Sequence, residues 1–342
     1  MDTRTIFMRL TRNVGRRFEM KAIVLTKTCS AEELKVSEVP VPEVRSGWVL
    51  VKIRAFGINH SEILLRKFEA DAPYIHLPRI PGIECAGEIE NPSDSSFTKG
   101  DKVIALMGGM GRSFDGSYAE YALLPEKNVF SVDTEMSWEQ LAAIPESFYT
   151  AYGSLVDCLP LDAGDSLMIR GATSTVGLAA IQLAKAIGAK VIATTRSTTK
   201  RTLLQSVGCD EVVIDNGTLF DQVHAIAPNG VNKILELVGP ATLSESLHLA
   251  AFHGIVCSTG VLGNRYFLSN FDPIKEIPNG VYLTGFYSNF PTREAIDGMF
   301  GLIRLKHIVP VISKVFPFDQ IAEAHLLAES GKANGKIVVT IN

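Results

Sequence analysis

At 342 residues, 46% apolar and 20% charged, the chain is long enough for about two cores, since single ones stop growing near roughly 250–300 residues. A net charge of −4 argues against a nucleic-acid partner, and no apolar run approaches the ~20 residues of a membrane span. Cys29, Cys85, Cys158, Cys209 and Cys257 form no C-x-x-C pair and the seven histidines no H-E-x-x-H, so spacing predicts no metal site, and scattered thiols fit a reducing, cytoplasmic compartment.

The first stretch carries Arg4, Arg9, Arg12, Arg16 and Arg17 against Asp2 and Glu19. Such a stretch reads as a surface extension or upstream start, with an organelle-targeting segment as the alternative. Residues 1–19 are therefore set apart as an N-terminal extension, and the first domain is expected to start at Met20. From there to about Val132 short β-rich runs alternate with turn clusters: "KAIVLT", "GWVLVKIRAFGI", "CAGEIE", "DKVIALM", "YAEYALLP". They predict a partly barrel-like β domain. One short helix, "HSEILLRK", is expected after Asn59 as its cap.

From Ser137 the period changes. Ser137 and Gln140 make a capping-box pattern ahead of "WEQLAAI". Then strand-like runs ("SLMIRG", "KVIATT", "EVVID", "KILELVG", "GIVCSTG", "VYLTGF") alternate with helical ones, which predicts a parallel sheet with helices on both faces. The tail reads as helix at "REAIDGMFGLIRLKH" and "FDQIAEAHLLAES", and strand at "VVTIN".

The stretch "GATSTVGLAAIQLAK" joins a buried strand to a helix. Gly171 suits the tight turn and Gly177 the close approach of helix to strand, two of the three glycine roles in a dinucleotide loop. Thr173, Ser174, Thr175 and Val176 stand between them. The N–H groups and hydroxyls of Ser174 and Thr175 can meet phosphate oxygens, as helix N-termini do. After the next strand an NAD site wants an acid for the ribose. Here Thr195 leads into Arg196, Ser197, Lys200 and Arg201, a basic turn that favours a 2′-phosphate and predicts NADP(H).

These segments, with "PGIECAGEI", "GDKVIAL" and "DGSYAEY", resemble the medium-chain dehydrogenase/reductase superfamily, and within it the zinc-independent quinone oxidoreductase branch. The resemblance runs from Met20 to the last residues. It implies an α/β protein with a GroES-like β domain plus a Rossmann doubly wound parallel-sheet domain. The GroES-like catalytic domain would be discontinuous, 20–143 and 288–342, with the NADP-binding domain at 144–287 and the active site between them. It also implies a homodimer. The relatives' three catalytic zinc ligands match Asn59, Ile83 and a position near Glu146, which cannot together hold a catalytic zinc; His60 nearby is one imidazole alone. Without metal, alkoxide stabilisation is lost, whereas quinones and α,β-unsaturated carbonyls accept hydride directly. The resemblance further implies catalytic roles for Asn59 (polarising the acceptor oxygen or positioning the nicotinamide) and Ser61 (proton relay). It implies cofactor contacts from Thr150, Asn216, Val238, Gly239, Ser258, Gly260, Val261 and Lys336. The expected partner is thus a small electrophilic substrate. An enoyl-thioester reductase and a non-enzymatic NADPH-binding redox sensor are the alternatives.

Overall fold

The computed structural model describes residues 18–341, so the arginines of the N-terminal extension lie outside the described residues. Among the described residues fifteen strands follow in order. They are β1 (Glu19–Ile23), β2 (Val36–Pro40), β3 (Trp48–Ile58), β4 (Glu84–Asn91), β5 (Lys102–Leu106), β6 (Tyr121–Pro125), β7 (Val129–Ser131), β8 (Ser166–Arg170), β9 (Lys190–Thr195), β10 (Glu211–Ile214), β11 (Val231–Glu236), β12 (Ala250–Ser258), β13 (Tyr282–Gly285), β14 (Ile312–Pro317) and β15 (Lys336–Thr340).

The first sheet runs β14-β15-β3-β4-β5-β7, with β6 also on β3. Strand β3 can anchor it because "WVLVKIRAFGI" buries apolar side chains on both faces, Val49, Val51, Ile53 and Phe56 into one core and Ala55 into the other. Its pairing with β15 brings the last part of the chain back onto the first. The second sheet is parallel throughout, in the order β10-β9-β8-β11-β12-β13. Its order reverses beside β8, so a crevice opens between the carboxyl ends of β8 and β11, where open α/β sheets take ligands. The helix Pro145–Gly153 joins the two sheets: Phe148 and Tyr149 share one core with Leu106 of the first sheet and Leu167 of the second.

The anticipated caps form. Ser137 Oγ accepts the Gln140 N–H at 3.3 Å, and the Gln140 side chain accepts the Ser137 N–H at 3.2 Å. Three strands carry no clear sequence signal: β2, β7 and β14. The last two close the two ends of the first sheet, and β2 pairs only with β1. Edge strands are short and tolerate Lys and Pro, as "ISKVFP" does, so alternation is weak there. Among the described residues no helix is long and apolar enough to cross a membrane.

Candidate active site

A cleft of about 660 Å³ lies at the carboxyl edge of the second sheet and reaches the first through Ile58, Asn59, His60 and Ile337. Its floor begins where β8 ends. Gly171 turns with φ +83°, and the helix Thr175–Ile187 starts after Ser174. A Cβ on Gly177 would stand 2.6 Å from the Ala172 carbonyl oxygen, so only glycine lets the helix sit this close to the turn. The Ser174 hydroxyl is spent inside the loop: it donates to Gly171 O at 2.9 Å and accepts the Gly177 N–H at 3.1 Å. The expected phosphate contact through that hydroxyl is therefore corrected. What faces outward is the first helical turn, where the Thr175 and Val176 N–H groups precede the helix's own ladder.

The basic turn after β9 differs from expectation. Thr195 Oγ1 accepts the Ser197 N–H at 3.1 Å, and Ser197 Oγ meets Thr199 Oγ1 at 2.8 Å. Lys200 is not in the cleft lining and its ammonium is engaged: it donates to the carbonyl of Ala333, a residue at the cleft's rim, at 3.2 Å and to the Asn334 side chain. Arg196 lines the cleft, is exposed, and has no hydrogen bond or ion pair among the described residues. Asn216, expected to contact the cofactor, folds onto its own turn, where Oδ1 accepts from Thr218 Oγ1 at 2.8 Å. The neighbouring Asp215 lines the cleft instead. Val238 also lines it. Gly239 and Gly260 do not; they let the turns after β11 and β12 touch, since a Cβ on Gly239 would be 2.4 Å from Gly260 O. Ser258 and Val261 stand at the end of β12 and just beyond, outside this cleft's lining.

At the other end, the predicted catalytic residues meet a buried charge network. Lys336, expected near the phosphates, is 2% exposed and points inward. Its Nζ is 2.6 Å from Glu84 Oε1 and donates to Asn59 Oδ1 at 2.6 Å and Ser147 Oγ at 3.0 Å. Gly57 makes the room, because a Cβ there would fall 2.3 Å from Lys336 Cε. Asn59 Nδ2 donates to Glu84 Oε1 at 2.8 Å, and the Asn59 N–H to Glu62 Oε2 at 2.9 Å. The remaining Nδ2 hydrogen lies toward Glu62 Oε1 at 3.5 Å. The amide is held on both sides, which leaves it no free donor for the cleft.

Glu62 accepts the Ile83 N–H at 3.1 Å, and Glu84 the Glu146 N–H at 2.7 Å. Three carboxylates, Glu62, Glu84 and Glu146, thus surround one ammonium. Burial, then the Glu84 charge, pushes Glu62 up to about 7, and the same two causes raise Glu146. Glu146 Oε1 accepts from Thr150 Oγ1 at 2.7 Å and Ser288 Oγ at 3.0 Å, so the Thr150 hydroxyl is engaged here rather than in the cleft. Ser61 is the second residue of the helix His60–Leu64. Its Oγ accepts from Arg112 Nη1 at 2.8 Å, which leaves its own proton to donate, and Glu69 anchors Arg112 at 2.8 Å. Sequence reading misses Arg112, which arrives from a glycine-rich loop without local signal. His60 borders the cleft, with its imidazole kept below the ordinary range by burial and by Lys67. Among the described residues no group of three or more His, Cys, Asp or Glu is arranged to hold a metal ion.

Residues 45–134 match the alcohol dehydrogenase GroES-like domain family and residues 175–300 the zinc-binding dehydrogenase family. The chain is 30% identical to a quinone oxidoreductase of Mus musculus over 94% of its own length and 98% of the relative's. It superposes on the quinone oxidoreductase from Coxiella burnetii with TM-score 0.81 at 26% identity, covering 95% of this chain and 100% of that one. An NAD-dependent alcohol dehydrogenase gives TM-score 0.84 at 26% identity, covering 94% and 100%.

Proposed function

The chain belongs to the medium-chain dehydrogenase/reductase superfamily, and from that premise we propose that it is an NADPH-dependent reductase of quinones or α,β-unsaturated carbonyls that works without zinc. The oxidoreductase class and a pyridine-nucleotide cofactor come with the family; the finer assignment is our own. The observation that carries it is the buried ammonium of Lys336. It sits against Asn59 and Glu84, beside the positions that match zinc ligands in relatives. A fixed cation and an alkyl chain at Ile83 oppose a second, divalent cation, so the site lacks the Lewis acid that alcohol oxidation needs.

The cleft fits a dinucleotide on its own features: a glycine cradle at Gly171 and Gly177, an outward helix N-terminus, and Arg196 unpaired among the described residues beside the second strand end. When bound there, the nicotinamide supplies the hydride. The protein's own part is positional. Thr175 and Val176 N–H groups hold the pyrophosphate, Arg196 pairs with the 2′-phosphate, and the Asn59–Glu62 corner fixes the wall against which the reacting carbon lies. Ser61, its oxygen held by Arg112, would relay a proton to the acceptor oxygen and take one back from water.

A second cleft of about 760 Å³, lined by residues including Ile63, Lys67, Phe68 and Tyr266, shares His60, Ile63 and Ala328 with the first. It leaves room for a long acceptor tail, as the enoyl-thioester alternative needs, but its lysine, Lys67, is paired with Glu329 at 3.1 Å, so it is not the basic channel that a carrier phosphate would call for.

The test is a panel of quinones, enones, enals and enoyl-thioesters with NADPH or NADH, and with nicotinamide deuterated at the transferred position. Turnover with NADPH, deuterium on the β-carbon of an enone, substoichiometric zinc by elemental analysis and indifference to chelators are expected. Stoichiometric zinc whose removal stops turnover would refute the reading.

A further inference from the structure

We propose that Asp215 reads the base of the cofactor, its carboxylate accepting the exocyclic amine of adenine; this rests on the nicotinamide-dinucleotide reading above. Three observations carry it.

The first is position. Asp215 follows β10, Arg196 follows β9 and Gly171 follows β8, and these strands are adjacent in the sheet. At about 4.8 Å between strands, Asp215 stands roughly 10 Å along the edge from the pyrophosphate turn and one strand beyond the 2′-phosphate partner. With pyrophosphate and ribose fixed at those two places, the base is the part of the cofactor that reaches this end of the cleft.

The second is immobilisation. Arg170 is 2% exposed and donates to Asp215 Oδ2 at 3.0 Å and to Glu245 at 2.5 Å. It also donates to Thr242 O and Ser246 Oγ, each at 3.3 Å. The Asp215 N–H is tied to Thr195 O at 2.8 Å. The carboxylate is therefore held from below and behind, while its side chain stays 22% exposed to the cleft and Oδ1 has no partner among the described residues.

The third is chemistry. Arg170 balances the charge through Oδ2, so what the cleft sees is the second oxygen, Oδ1, an acceptor that wants a donor. On the 2′-phosphorylated adenosine half the base offers one at its edge, the 6-amino group. Hypoxanthine presents a carbonyl oxygen at the same place, and two acceptors facing each other in a partly buried site are rejected.

The experiment compares equilibrium binding of NADP⁺ and nicotinamide hypoxanthine dinucleotide phosphate to the full chain, by calorimetry or fluorescence quenching. The unmutated protein should bind NADP⁺ at least ~10-fold more tightly. Asp215→Asn, whose amide oxygen can still accept from Arg170 and whose NH₂ can donate to a carbonyl, should bring the ratio to about one or invert it. Thermal midpoints of the cofactor-free proteins check that the variant folds, and the unmutated ratio stands without any variant. Binding of NADP⁺ with no preference over the hypoxanthine form, or a preference untouched in a folded Asp215→Asn, overturns the assignment of Asp215 while leaving the cofactor reading in place. No binding of either dinucleotide overturns both.

Discussion

Replacing Glu62 by Gln should change how the protein's stability depends on pH. Glu62 is fully buried beside Glu84, and its carboxyl is pushed from 4.5 up to about 7. Between those values the folded protein binds a proton that the unfolded chain has released, so this group's contribution is complete at low pH and is lost as pH rises through about 7. At about 1.4 kcal/mol for each pH unit, the rise amounts to about 3 kcal/mol. The raised Glu146 acts in the same direction. The glutamine of Glu62→Gln cannot titrate, but its NH₂ faces a backbone N–H where a carboxyl oxygen had accepted one, at a cost of about 1–3 kcal/mol. The variant should thus be less stable near pH 4.5, and the gap should close by about 3 kcal/mol by pH 8. Denaturant titrations followed by tryptophan fluorescence read the relevant half of the molecule, because Trp48 and Trp138, the chain's two tryptophans, pack with the first sheet. A gap that stays constant with pH would mean that burial does not raise the Glu62 carboxyl as described.

Arg196→Ala should weaken NADPH binding at least ~10-fold, about 1.4 kcal/mol, and leave NADH binding unchanged; an equal loss for both cofactors would remove Arg196 from the 2′-phosphate. Gly177→Ala should cost about 1–3 kcal/mol of stability by overpacking and weaken both cofactors alike, measured by thermal unfolding and binding titration. A neutral outcome would show that the helix can back away from Ala172. Lys336→Met removes the ammonium at the centre of the acidic corner and should destabilise by about 3–5 kcal/mol near neutral pH. Stability should recover as pH falls and the acids protonate; no recovery would point to lost packing rather than uncompensated charge.

The two sheets are legible in the sequence because their signals are local. β-rich runs such as "GWVLVKIRAFGI" are set off by turn residues on either side, and the strand–glycine–helix run around Gly171 marks a nucleotide loop whatever its middle residues. The corner around Asn59 is legible only in part. Its identity as a cap is visible three residues away in Glu62, but Lys336 lies 277 positions from it, and no periodicity reports a pairing at that distance. Composition alone makes Lys200 a phosphate ligand, yet Ala333 and Asn334 claim it across the same kind of gap. Asn216 shows the opposite failure. The Asn-x-Thr pattern that folds its side chain onto Thr218 is plain in the sequence, and this local turn chemistry overrides the position matched to relatives. Asp215 gives no sign of its role because nothing nearby hints at Arg170 beneath it.

The lysine at the centre of the acidic corner also gives the chain a chronology. Glu62 and Glu84 are synthesised early and Lys336 late; at about 5–20 residues per second the ammonium follows Asn59 by roughly 14–55 s. Through that interval strand β3 lacks β15 along one edge, and the acids that later surround an ammonium can remain charged only in contact with water. The entire second sheet is made meanwhile. The nucleotide-binding half can therefore be finished, with its loop and helix in place, before the corner that faces it can become dry. A chain truncated before Lys336 should therefore still bind dinucleotide at Gly171 and Arg196 while lacking a water-excluding wall, which a cofactor titration of the truncated chain checks.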